Sequence, residues 1–472
     1  MQGQHCYQPE LFSQIDYGQL IPPNHLLRKI DSVLDLNFLS ELTKPLYSEE
    51  VGRPSVAPDI FIRMVLLQAL YNIDSDRQLC EEVGYNLAYR WFCKLSLQDR
   101  VPNHSSMTRI RDRMGEETFK KIFLTVVEQC RSAGLLKGER LMTDGSYIKA
   151  NASLYKMIER EGISIDSNAG GVIEASQDGL SNKDLRKNSI VGKKLSNATH
   201  VSKTDPDATL SGKSGEYKAL NYKAHHMIDA DSRVIVDCHI TTGADSETKT
   251  VLERVEAVKN NLNITPQEVI ADRGYGSGEN LKELKDRDIK TNIPLWNNRI
   301  GQSFWKEIEG FNYDFDLNQM ICPEGHLMNT IKTSDPDSST FTLKKPVCKT
   351  CPLREKCFSE NQKKQDRGKV VKISRYQSIY NEVKNQSSTN EFVSKMRERM
   401  WKMEGIFAEA KSHHGMRKAR YRGRGKLQTQ VYIISTVQNL KRLAMTFLLL
   451  IKSIIEDLKS DGKIEEKMWL TL

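Results

Sequence analysis

The chain has no apolar run long enough to cross a bilayer. Its longest, 447–455, is interrupted by Lys452 and falls well short of the roughly 20 residues that a spanning helix needs, so it reads as a buried helix. The start, MQGQHCYQPELFSQ, lacks the basic stretch and apolar core of a secretory signal, and the expectation is a cytoplasmic protein. An even set of cysteines is missing too. Nine in 472 residues argue against a disulfide framework and for metal ligands or core packing. No internal repeat is present, and a strong charge of one sign is lacking: 70 Lys and Arg against 61 Asp and Glu leave +9, which permits an anionic partner without requiring one.

What is present is uneven. The length suits about three domains, and the charge is concentrated. Residues 395–426 hold eleven basic side chains (Lys395, Arg397, Arg399, Lys402, Lys411, Arg417, Lys418, Arg420, Arg422, Arg424, Lys426) against three acidic ones. That segment alone nearly matches the net charge of the chain.

Residues 1–135 read as an all-helical domain for DNA binding or dimerisation, with periodic runs at 58–71 and 117–130. Between them PNHSSMTRIRDRMG, opening on Ser105 or Ser106 as N-cap, carries Arg109, Arg111 and Arg113. It suits either a helix-turn-helix or a solvated charged face. From 136 to 295 the pattern is strand (LMTDGSYI), a polar stretch 151–215 expected to be flexible, a hairpin at 217–228 and 233–241, a helix at 247–261, a buried strand ending at Asp272, a helix and a strand. Residues 296–385 break the rhythm as a Cys-rich insertion. The core resumes over 386–457 with two helices, and 458–472 is a tail.

Cutting or transferring a phosphodiester requires charge neutralisation and an activated oxygen, which two divalent cations about 3.5–4 Å apart supply; hard cations want carboxylates. Asp144 lies inside an apolar strand, where an unpaired carboxylate is costly. Asp272 ends a strand before Gly274 and Gly276, an edge from which ligands project. Asp229, Asp231 and Asp245 sit in turn-like or helix-opening segments, where capping is the simpler role. Glu404 is selected because Lys411 follows seven residues on, two helical turns away on the same face; the same position after Glu398 is Gly405 and after Glu409 is Met416.

TDGSYIKANAS, VIADRGYGSGEN and the Glu-x6-Lys helix resemble the catalytic blocks of DDE insertion-sequence transposases. PNHSSMTRIRDRM, SKTDPDA with its hairpin, and TVQNLKRL resemble further parts of that family. The resemblance implies an α+β fold: an RNase H-like mixed-sheet catalytic core with a helical N-terminal domain. It implies Mg²⁺ or Mn²⁺ on Asp144, Asp272 and Glu404, with Lys411 on the phosphate of the transposon end. Double-stranded DNA is the implied partner, bound by a synaptic homodimer at the bacterial nucleoid. The family commonly places an Arg four residues before the Glu, where this chain has Met400, with Arg397 and Arg399 nearby. Some related enzymes stack a flipped base on an aromatic ring, for which Trp296, Trp305 and Trp401 are candidates beside plain packing.

Cys322, Cys348, Cys351 and Cys357 fall within 36 residues, spacing for a structural tetrahedral Zn²⁺ site, with His326 as a spare ligand and a reduced loop domain as the alternative. HHGMRKARYRGRGK, bearing Arg417, Lys418, Arg420, Arg422 and Arg424, reads as a loop along DNA phosphates. Residues 183–223, with nine basic side chains against four acidic, are a second basic stretch. Two other functions fit the sequence: a DNA-binding regulator derived from a transposase, and a metal-dependent nuclease without strand transfer.

Overall fold

The computed structural model describes residues 20–47, 55–160, 189–190, 193–213, 218–295, 310–314, 317–331, 337–358 and 368–460, with side chains of the last helix as far as 447. Trp296, Trp305 and about half of the polar stretch (161–188, 191–192 and 214–215) lie outside the described residues. The chain divides into two compact units, a larger one of 1–137, 145–245 and 404–472 and a smaller one of 138–144 and 246–403.

In chain order the helices are α1 (Leu26–Asp31), α2 (Phe38–Thr43), α3 (Pro58–Leu70), α4 (Asp76–Tyr85), α5 (Leu87–Phe92), α6 (His104–Ser132), α7 (Val251–Leu262), α8 (Gly278–Asp286), α9 (Lys345–Lys349), α10 (Arg354–Cys357), α11 (Gln377–Ser387), α12 (Asn390–His413) and α13 (Arg424–Ser460). The strands are β1 (Arg140–Lys149), β2 (Met157–Glu159), β3 (His200–Ser202), β4 (Thr209–Ser211), β5 (Ala219–Asp229), β6 (Ile235–Thr242), β7 (Glu268–Ile270), β8 (Lys290–Asn292), β9 (Asn312–Asp314), β10 (Gln319–Ile321), β11 (Asn329–Ile331), β12 (Ser338–Thr342) and β13 (Val370–Ser374).

In the larger unit every residue of α3 from Phe61 to Leu70 is buried, Arg63 and Gln68 among apolar neighbours, as a central helix requires. Pro58 starts it where no amide partner is needed. α6 is two helical stretches that meet at a kink on Gly115, whose φ of 67° is non-helical, matching the two helical runs expected there. Its N-cap is Asn103, whose side chain accepts from Ser105 N–H at 2.9 Å, not Ser105 or Ser106. The long closing helix α13 packs on α6, α3 and β6.

β5 and β6 form the expected hairpin, Tyr222 opposite Thr242 and Ile228 opposite Ile235. Asp229 fixes its turn by accepting from Ser232 N–H at 2.8 Å and from its hydroxyl at 2.7 Å. β4 pairs with the first residues of β5, and the end of β1 meets that same start, Ala150 N–H donating to Leu220 C=O. The outer edge of β6 is closed by two amide side chains of α13. Gln428 accepts from Ile240 N–H and donates to Cys238 C=O (2.7 and 3.0 Å), and Asn439 accepts from Ile235 N–H and donates to Ile235 C=O (2.9 and 2.8 Å). Backbone groups that would otherwise template aggregation are thereby paired.

In the smaller unit the first residues of β1 pair parallel with β7, and β7 pairs parallel with β8; α8 supplies the crossover that parallel neighbours need. The expected class, α+β with strands of both senses, is what the chain adopts. The cysteine segment forms two small antiparallel sheets, β9–β10 and β11–β12–β13, around Met320, Met328, Phe341, Val371 and Ile373.

Candidate active site

The parallel register sets Met142 beside Ile270. Asp144 and Asp272 each follow the last of these paired residues by two positions, Asp144 still on β1 and Asp272 just past the end of β7. Asp272 caps a single 3-10 turn (Arg273–Tyr275), its Oδ1 accepting from Gly274 N–H at 2.8 Å. Asp144 Oδ1 lies 2.9 Å from Arg399 Nη2, and Arg399 Nε donates to Thr143 C=O at 3.3 Å. Arg399 is buried, whereas Met400 and Arg397 are exposed. The arginine beside the aspartates therefore stands five residues before Glu404, on the one side of α12 that faces β1.

Tyr275 is wholly buried between these groups. Burial raises its hydroxyl pKa well above the ordinary value, and Glu247, Asp144 and Asp272 raise it further, with a hydrogen bond from Thr143 opposing them. Glu247, on a short turn (Glu247–Lys249), is the residue that sequence reasoning missed, since nothing in GADSETK distinguishes it from a helix-opening acid. A Cβ at Gly274 would stand 2.6 Å from Glu247 Oε2 and 2.9 Å from Asp272 Oδ1, so the backbone there approaches both carboxylates as only glycine allows. Among the described residues no group of three or more His, Cys, Asp or Glu is arranged to hold a metal ion.

Glu404 and Lys411 belong to the larger unit. Glu404 is exposed. Lys411 is half-buried and donates to Ser146 Oγ at 2.7 Å; Ser146 is two residues beyond Asp144 on β1, hence on the same strand face. Burial lowers the Lys411 pKa, and the nearby cations Lys213 and Arg417 lower it further. Glu409, by contrast, turns inward: Lys441 and Arg442 of α13 pair with it, at 2.5 and 3.2 Å, and the buried His414 at 3.5 Å.

The basic loop is clamped along β1. Lys149 N–H donates to Arg417 C=O (3.1 Å) and Ala419 N–H to Lys149 C=O (2.8 Å). Arg422 Nε donates to Asn151 C=O at 3.2 Å, and Asp205 and Asp207 accept from Gly423 and Arg424 N–H at 3.1 and 2.9 Å. Arg417, Lys418, Arg422 and Arg424 remain exposed, while Arg420 reaches Asn72. On α6, Arg109 and Arg113 are exposed, Arg113 lying over the Tyr47 ring. Arg111 is turned in, bidentate to Asp76 at 2.9 Å and stacked on Tyr421 of the loop at 4.7 Å.

Cys322, Cys348, Cys351 and Cys357 line one small cavity with His326 and Lys369. Burial raises the Cys357 thiol pKa, Lys369 opposes, and the other three sulfurs raise it again. Cys322 opens a tight turn in which its carbonyl accepts from Gly325 N–H and its own N–H donates to His326 C=O (2.9 and 3.0 Å). Trp401 is exposed, with Lys402 over its ring. No described helix is long and apolar enough to cross a membrane.

Residues 15–113 match the family model described as "Transposase domain (DUF772)", and residues 321–444 match the "Transposase DDE domain" model. The second match holds Glu404 and Lys411 but neither Asp144 nor Asp272. No curated protein matches. Among solved structures the chain is similar to one titled "Cryo-EM structure of piggyBac transposase synaptic complex with hairpin DNA", at 11% identity and a TM-score of 0.32 over 89% of this chain and 79% of that one, a distance at which the likeness bears no weight. The chain thus carries two segments, 15–113 and 321–444, that match transposase models, the second a DDE transposase domain.

Proposed function

We propose that the chain is the transposase of a bacterial insertion sequence, acting in the cytoplasm at the nucleoid. It binds the terminal inverted repeats as double-stranded DNA, joins two ends in a homodimer, and cuts and transfers strands with Mg²⁺ or Mn²⁺. The observation that supports this reading is that Asp144 and Asp272 each stand two residues beyond the last paired residues of parallel neighbours, with Arg399 2.9 Å from Asp144. Two carboxylates on neighbouring strand ends suit an ion that binds through one or two carboxylates and takes its other ligands from water and phosphate; Glu404 is the third protein ligand in this reading. When bound, the ions neutralise the phosphate and activate the attacking oxygen. Arg399 orients Asp144, and the Gly274 N–H orients Asp272. Lys411 holds a phosphate oxygen on the Ser146 side of β1, where its like-charged neighbours favour an anion. Arg417, Lys418, Arg422, Arg424, Arg397, Arg109 and Arg113 take further backbone phosphates, and Arg420 anchors the loop that presents them.

The test is to incubate the purified protein with Mg²⁺ and a duplex carrying the element's end. Cleavage should leave a 3′ hydroxyl at the end and later yield products joined to a second duplex. Cleavage without joining would make the protein a nuclease, and an intact duplex would defeat the reading.

In this reading the four cysteines, which line one cavity, draw together on a structural Zn²⁺ when it binds, since thiolates suit that ion. The purified protein is expected to carry one zinc per chain by elemental analysis, and Cys348→Ser or Cys357→Ser to lose it together with thermal stability. A stable parent protein free of zinc would overturn this.

A further inference from the structure

Where β1 leaves the sheet, the larger unit holds an open cleft of about 460 Å³ lined by Lys149, Asn151, Tyr155, Lys156, Lys418 and Arg422 among others. Four of its thirteen lining residues are cationic and none is acidic. Its walls are fixed by backbone. The loop side is tied by the Lys149, Arg417 and Ala419 hydrogen bonds, and the other side by β2 pairing with β3. Lys149, Lys156, Lys418 and Arg422 are exposed, and so is the Tyr155 ring, 42% accessible. Lys149 is five residues beyond Asp144 on the same strand, and Ser146, which accepts from Lys411, lies between them in sequence.

A rigid cationic cleft with an accessible aromatic ring is the combination that follows a nucleic-acid strand, the cations tracking phosphates and the ring taking a base face. The volume lies in the roughly 300–1,000 Å³ range of small-ligand sites, room for a nucleotide or two of one strand rather than a duplex. We propose that this cleft binds an unpaired, single-stranded segment of DNA, its phosphates on Lys149, Lys156, Lys418 and Arg422 and one base stacked on Tyr155. The inference rests on the reading of the chain as a DNA transposase and adds a site specific for a strand that has left the duplex.

The test is fluorescence anisotropy with the full chain as purified, without added Mg²⁺ or Mn²⁺ and without chelator, using a labelled dT oligonucleotide of about twelve residues and a duplex of equal length. Without added divalent ions the measurement is independent of cleavage, so failure here leaves the catalytic reading standing, and failure of cleavage leaves this result interpretable. Tyr155→Ala is expected to weaken single-strand binding on the order of tenfold and duplex binding little, and Tyr155→Phe to restore it. Lys149→Glu and Lys156→Glu should weaken it and flatten its salt dependence. Unchanged single-strand affinity in Tyr155→Ala, equal loss for both DNAs, or failure of Tyr155→Phe to restore binding would overturn the proposal.

Discussion

Asp144→Asn is expected to lose strand cleavage by at least about a thousandfold, some 4 kcal/mol of transition-state stabilisation, while melting close to the parent. Asn keeps the shape and hydrogen-bonding capacity of the side chain but removes the charge that a hard cation requires. The stability cost is small because the side chain is 23% exposed and Arg399 keeps its hydrogen bond to Thr143 C=O. Asp272→Asn should behave alike, since Gly274 N–H finds an acceptor in either side chain. Measuring cleavage and thermal melting on the same preparations separates loss of chemistry from loss of fold, and a variant that cuts like the parent would remove Asp144 from the metal site.

The opposite outcome is expected at Glu409. Glu409→Gln should destabilise the protein by about 3 kcal/mol, the cost of taking one partner from a largely buried charge network, which lowers the melting temperature by roughly 6–12 °C for a unit of this size. Lys441 and Arg442, with side chains 29% and 15% exposed, would be left facing an amide, as would His414 at 1%. Burial by itself would raise the Glu409 pKa, but His414, Arg442, Lys441 and Gln438 bring it well below the usual 4.5. A carboxylate whose pKa is depressed on folding stabilises fully above its unfolded value. That contribution should therefore fade as the pH falls below about 4.5, and the parent and Glu409→Gln melting curves should converge in acid. Glu404→Gln, on the exposed face of the same helix, should melt like the parent and lose cleavage instead. Equal melting temperatures for Glu409→Gln and the parent at pH 7 would contradict the network.

These contrasts mark what the sequence could convey. Asp144 and Asp272 stood out because a carboxylate in an apolar strand and one before a glycine-rich turn are both costly without a task, and both contexts depend on adjacent residues alone. The inward turn of Glu409 was half legible, through the absence of a basic residue seven positions on. Arg399 was not separable from Arg397, because choosing between them depends on which side of α12 meets β1. Glu247 was invisible for the same reason: it reaches Gly274 across a turn-to-turn contact that no periodicity encodes. Arg111 looked like its neighbours on a basic helix, but Asp76 and Tyr421 draw it inward. The four cysteines line one cavity, and the apolar core beside them comes from strands too short to register as a pattern.

The amide clasp on β6 has a consequence in time. Asn439 closes an edge at Ile235 that was made 204 residues earlier. At roughly 5–20 residues per second of synthesis, that edge waits about 10–40 s on the ribosome before its partner is made. A chain halted short of α13 would leave this strand open to its neighbours on the same messenger, so α13 guards a strand edge made long before it.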